Sequence, residues 1–175
     1  MMIRRFKEQL SSLDISLSDK CLLAISGGVD SMVLIDLFSK SKIPFSVAHC
    51  NFNLRGKESN NDVSFISSFS RKMGCDFFES NLSTDFYSKH KKISIQMAAR
   101  KLRYSWFNDL LQIHGFSKII TAHHLDDSLE TFIINLSRGT GLKGLLGIPA
   151  QKNNIYRPML IFSKEQIINY AKKNK

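Results

Sequence analysis

Ser26-Gly27-Gly28-Val29-Asp30-Ser31 gathers two hydroxyls, two glycines and a carboxylate in six positions. It follows the apolar run Cys21 to Ile25 and opens the helical pattern of residues 31–40. Adjacent glycines let the backbone turn tightly and approach a ligand closely. The N–H groups of such a turn and of the first helical turn converge, and the helix dipole makes that point positive. Ser26 and Ser31 add hydroxyl donors. The product is a phosphate cradle, and it is not a Walker loop, because no Gly-Lys-Ser/Thr follows. An acid repels phosphate. Asp30 therefore fits either as a helix cap or as a carboxylate sharing a Mg²⁺ with the phosphates.

A second reactive group is His123, Asp127 and Glu130, spaced i, i+4 and i+7, which shares one face if the segment is helical. Leu125, Leu129, Phe132 and Leu136 then form an apolar face. Two carboxylates beside an imidazole can hold a cation, bind an ammonium group or accept a proton. A plainer use is helix-start stabilisation by Asp126 and Asp127, about 0.3–1 kcal/mol each. One histidine with two acids and no cysteine suits a hard cation better than zinc. Gln96, Arg100 and Arg103 have the same spacing, beside a core stripe of Ile95, Ala98, Leu102 and Leu110. Two arginines on one face can hold a phosphate or carboxylate through paired hydrogen bonds, or can simply be a solvated basic face. His49, Asn51 and Arg55 follow the second apolar run. Arg138 precedes, and Lys143 lies within, a stretch with four glycines in nine residues, Gly139 to Gly147, where a ligand can touch backbone.

Strands are expected at 21–25, 45–49, 76–80 and 117–122, and helices at 31–40, 58–73, 95–114 and 125–138. Gly74, Gly115 and Gly139 stop three of those helices. The alternation argues for an α/β fold, a parallel sheet with helices on both faces, which binds ligands at the carboxyl ends of its strands. A last helix starts near Ser163 with a cap-like Ser-Lys-Glu-Gln and runs into the final AKKNK. The expectation is one domain, residues 1–175, forming the catalytic piece of a longer protein. The formal charge of +10 attracts polyanions, of which nucleic acid is the commonest. The apolar runs are too short to cross a bilayer, and the charged start lacks the apolar core of a secretory signal. Cys21, Cys50 and Cys75 form no C-x-x-C pair, which suits a reducing, cytoplasmic setting.

The SGGVDS segment is similar to the signature of the PP-loop ATP pyrophosphatases, which have a Rossmann-like sheet (adenine nucleotide alpha hydrolase-like) and split ATP between its α- and β-phosphates. Four further segments accompany it in order: HCNFNLR, QMAARKLRY, TAHHLDDSLET and LSRGTGLKGLLG. With all five, over residues 26–147, the chain resembles the N-terminal catalytic domain of the tRNA(Ile)-lysidine synthetase family. The resemblance implies ATP and Mg²⁺ as cofactors, and free lysine and a tRNA(Ile) with a CAU anticodon as substrates. It implies that Ser26 to Ser31 and His49 bind ATP. Asp30 and Asp127 would hold the metal, and Asp30, Arg103, His123, Asp127 and Glu130 would carry the chemistry. Asn51, Arg55, Arg100, Arg138 and Lys143 would meet the substrates. The chain departs from the family pattern at Asn51 and Phe52, where histidines are common, and at Gln96, where glutamate is common. Two rivals stand beside this reading: a PP-loop tRNA thiolation enzyme and a non-catalytic nucleotide-binding module.

Overall fold

A computed structural model of the chain describes residues 1–52, 57–141 and 145–174, with residues 57–60 described in backbone alone. Six strands form one sheet: β1 (Cys21–Ala24), β2 (Phe45–Asn51), β3 (Phe77–Asn81), β4 (Lys118–Thr121), β5 (Gln151–Lys152) and β6 (Ile155–Tyr156). Their order is β3-β2-β1-β4-β6-β5. All neighbours are parallel except β5 and β6. The helices are α1 (Met2–Ser12), α2 (Val29–Ser41), α3 (Lys57–Met73), α4 (Thr84–Lys91), α5 (Ile95–His114), α6 (Leu125–Ser137) and α7 (Lys164–Lys173). A 3₁₀ turn, Pro158–Ile161, precedes α7.

β1 reads as a continuous apolar run because both sheet faces are covered there. Side chains alternate along β1. Cys21, Leu23 and Ile25 pack with Phe6 and Leu10 of α1, Leu34 and Phe38 of α2, Ile66 of α3 and Ile167 of α7. Leu22 points the other way, into Ala48, Ile119, Phe107 and Leu110 of α5, and Phe116. Helix ends follow local chemistry. Ser94 Oγ accepts the Met97 N–H at 3.2 Å to start α5, and Gly115 closes it at φ 67°.

Each expected strand and helix is present to within a few residues, and α1 and α4 are additional. Two side-chain expectations need correction. The buried residues of α5 are Ala98, Phe107 and Leu110, whereas Ile95, its first residue, is 43% exposed. On α6 the apolar face is not core: Leu125, Leu129 and Leu136 are 50%, 56% and 56% exposed, and no residue of the helix is buried. Among the described residues α6 packs against the 158–161 turn, and that contact does not cover its leucines.

Candidate active site

The chain leaves β1 for β2 and β3 on one side, then returns to place β4 on the other. This reversal opens a crevice at the carboxyl ends of β1 and β4, where doubly wound sheets bind ligands. Two loops meet there. The first, Ser26 to Gly28, turns through Gly27 at φ 90°, a conformation that favours glycine, and α2 begins at Val29. Its donors are held by its own serines. Gly27 N–H donates to Ser31 Oγ at 3.2 Å and Gly28 N–H donates to Ser26 Oγ at 3.4 Å. Ser31 Oγ–H donates to the Gly28 carbonyl at 2.8 Å. The two glycine N–H contacts are long, and an anion can take over those donors. His49, buried at the end of β2, lies within hydrogen-bond distance of the Ile25 carbonyl, 2.8 Å from its Nδ1. With the proton on Nδ1 it pins the backbone beneath the loop.

The second loop follows β4. His123 lies before α6, in the strand-to-helix turn, and not on the helix face that its spacing suggested. Its Nδ1 is 2.8 Å from Thr121 Oγ1. Burial, with Arg157 next in weight, pulls the His123 pKa down to about 4, so the ring is neutral at pH 7. Asp127 sits in the first turn of α6, and its Oδ2 accepts the His124 N–H at 2.8 Å. The carboxylate therefore caps the helix and also faces the crevice. Glu130, one turn further on, is exposed and is not part of the cavity wall.

Between the loops lies a cavity of about 260 Å³, walled by Ser26, Asp30, Ser31, Arg103, His123 and Asp127, with Tyr104 and Phe107 behind them. Two larger grooves, about 570 and 630 Å³, run along α1 and contain none of these residues. Arg103 crosses from α5, its guanidinium 5.7 Å from the Phe52 ring centroid and 5.8 Å from that of Tyr104. Its buried Nε has no hydrogen-bond partner among the described residues. Arg100 is exposed and stacks 4.9 Å from the Tyr104 centroid. Gln96 is exposed, and Asn51 is buried at the end of β2. Arg138 ends α6, about 20 Å along the axis from the start of that helix. Arg55 and Lys143 lie outside the described residues.

Three further residues enter the site. Arg157 is 4% exposed, and its Nη1 donates to the Pro149 carbonyl at 2.8 Å. His124 lies among three carboxylates, with Nε2 3.9 Å from Asp30 and Nδ1 3.6 Å from Asp127 and 3.8 Å from Asp126. Lys164 Nζ is 2.6 and 2.7 Å from the two Asp30 oxygens. No local pattern in the sequence marked Lys164.

No group of three or more His, Cys, Asp or Glu side chains among the described residues could hold a metal ion. Mg²⁺ does not need one, since it binds one or two carboxylates and takes its other oxygens from phosphate and water. Asp30 and Asp127 both line the cavity and are carboxylates of that kind. The three cysteines are free, and burial pushes the Cys21 and Cys50 thiols up to about 12.

A glycine-serine loop at a switch point, with a carboxylate in the helical turn that follows, is the layout expected of a PP-loop domain. Residues 2–175 match the PP-loop domain family of ATP-binding proteins, and the chain belongs to it. Within that family it is 45% identical over 152 residues to the tRNA(Ile)-lysidine synthase of Bacteroides thetaiotaomicron, covering 87% of this chain and 36% of the relative. It is 41% identical over 161 residues to that of Chlorobaculum tepidum, covering 90% and 49%. The chain thus spans about a third to a half of the length of these relatives. Among solved structures, the U34-tRNA thiolase NcsA from Methanococcus maripaludis shares the fold, with a TM-score of 0.78 at 16% identity over 97% of this chain and 62% of that one. No helix of the described residues is long and apolar enough to cross a membrane.

Proposed function

We propose that this chain is the ATP-dependent catalytic part of a ligase that joins lysine to C2 of the wobble cytidine of a tRNA(Ile) with a CAU anticodon. The convergence of the anion-binding loop, Arg103, His123 and Asp127 on one cavity carries the reading. The likeness to lysidine synthases selects the substrates. In the first step the cytidine C2 oxygen attacks the α-phosphorus of ATP, and the bond to pyrophosphate breaks. In the second the lysine amine attacks C2, the C–O bond breaks and AMP leaves.

The residues suit this chemistry. The Gly27 and Gly28 N–H groups exchange Ser26 and Ser31 for phosphate oxygens, and the dipole of α2 adds positive potential. A Mg²⁺ held by Asp30 would neutralise charge on the phosphates and leave Asp127 free for the second step. Arg103, with a buried donor to spare, holds an anionic group, either a phosphate or the lysine carboxylate. Asp127 receives the amine proton, because only a neutral amine attacks. His123, kept neutral, orients a substrate through a hydrogen bond without adding a charge. Glu130 and Arg100, outside the cavity wall, are assigned to the tRNA and lysine approaches, as are Arg55, Arg138 and Lys143. The remaining length of the relatives leaves room for parts that grip the tRNA, and the three free thiols suit a cytoplasmic setting.

Thiolation is the weaker reading, because sulfur transfer by paired cysteines needs thiolates close together. Here Cys21 begins β1, Cys50 sits near the end of β2 and Cys75 precedes β3. The decisive experiment is ATP-dependent incorporation of labelled lysine into tRNA(Ile) by the full-length protein. ATP turnover on that tRNA with no lysine incorporated would reject the reading.

A further inference from the structure

Both oxygens of Asp30 are engaged. Lys164 Nζ lies 2.6 Å from Oδ1 and 2.7 Å from Oδ2. A partly exposed pair of this kind adds little to stability, so its position is the informative part. Lys164 is the first residue of α7, and that end of the helix is fixed at several points. Ser163 Oγ accepts the Gln166 N–H at 3.3 Å, and the Lys164 N–H donates to Asp126 Oδ2 at 2.8 Å. The Leu125 N–H donates to the Phe162 carbonyl at 2.9 Å. The start of α7 is thereby bolted to the start of α6, and the lysine stem reaches from there to the first turn of α2.

The charges around that ammonium suggest its task. Asp30, Asp126 and Asp127 crowd one side of the phosphate loop, around His124. A polyphosphate entering there meets those carboxylates as well as Arg103. Unlike a Walker loop, the SGGVDS segment carries no lysine of its own. We infer that Lys164 is the phosphate-binding lysine of this site, supplied from α7 and parked on Asp30 until nucleotide arrives. The inference rests on the ATP reading above and names a residue that the reading does not use. A Mg²⁺ held by Asp30 would compete with Lys164 for that carboxylate and would free the ammonium beside the loop. A swing of a few ångströms, roughly one hydrogen-bond length, puts it on a β- or γ-phosphate oxygen. A compact charge on a flexible stem suits such an exchange.

Calorimetric titration of the full-length protein with pyrophosphate, ATP and AMP, each with Mg²⁺, tests the assignment. K164M is expected to lose tenfold or more in affinity for ATP and pyrophosphate, with AMP affinity changing less than twofold. K164Q gives the same comparison if the methionine variant does not fold. A second titration removes Asp30 from the question. In metal-free buffer, pyrophosphate binding to D30N is compared with binding to D30N/K164M. A phosphate-binding lysine makes the double variant at least tenfold weaker than D30N. Equal affinities would mean that Lys164 only neutralises Asp30, and would overturn the proposal. Parallel losses for AMP and ATP in K164M would overturn it as well. Failure of the wild-type protein to bind ATP or pyrophosphate would instead strike down the ATP reading itself.

Discussion

Asp127→Asn separates chemistry from architecture at the point where the two share one side chain. The Asp127 carboxylate caps α6 by accepting the His124 N–H at 2.8 Å, and it faces the cavity. Asparagine keeps an oxygen for the cap and nearly the same volume, so the hydrogen bond survives. What disappears is one negative charge in the first turn of a helix, worth about 0.3–1 kcal/mol. For a chain of this size that lowers the melting temperature by roughly 1–4 °C. The chemical loss is larger if Asp127 takes the proton from the lysine amine. A positioned proton acceptor contributes about 10²–10⁴ in rate, or roughly 3–5 kcal/mol. Three rates or affinities should be measured separately on the full-length protein: ATP binding, adenylation of the tRNA and lysine incorporation. The expected outcome is ATP affinity within a few-fold of wild type and lysine transfer reduced by at least about 100-fold. Lysine transfer at the wild-type rate would leave Asp127 as a helix cap and remove it from the reaction.

Other perturbations follow from the same geometry. The His123 pKa falls to about 4 in the folded protein, so the unfolded chain binds its proton first as the pH drops. Stability should therefore fall between pH 7 and pH 5 by up to about 2 kcal/mol, and His123→Asn should flatten that part of the profile in denaturant unfolding; an unchanged profile would refute the shift. Gly27→Ala forces a side chain onto φ 90°, at a cost of about 1–3 kcal/mol, and should weaken ATP binding tenfold or more; wild-type affinity would show that the loop does not need its turn. Affinity for tRNA should fall steeply between about 50 and 200 mM salt, because a chain of formal charge +10 releases counterions on binding. A flat salt response would exclude the basic surface as the tRNA site.

The parts of the molecule that were legible in the sequence are those set by local rules. Cys21 to Ile25 and Ile119 to Ala122 are apolar runs too short for helices, and each leads into a turn. Gly74, Gly115 and Gly139 all adopt positive φ where their helices end. The turn from Ser26 to Ser31 was legible because its glycines and serines act within six residues. Elements with weak local signals were not. In α1 only Phe6 and Leu10 are buried, amid charges, and in α4 only Thr84. β5 and β6 have two residues each, too few to show alternation.

What stayed hidden depends on how distant segments meet. Lys164 reaches Asp30 across 134 positions, and no spacing rule spans that distance. Helix α6 shows the opposite failure, a clear pattern without its expected consequence. Its leucines repeat at helical spacing, yet Leu125, Leu129, Ile133 and Leu136 are each at least 50% exposed. Amphipathicity predicts that a face is apolar; it does not name the surface that covers it. Without a buried face, α6 is anchored by polar bonds at its start. Asp127 accepts the His124 N–H, Asp126 accepts the Lys164 N–H, and the Leu125 N–H donates to the Phe162 carbonyl. Those bonds also orient Asp127 toward the cavity and Lys164 toward Asp30. The α6 start is thus the point where helix anchoring and site geometry coincide. A substitution that loosens it should disturb the placement of both charged side chains before it unfolds the sheet.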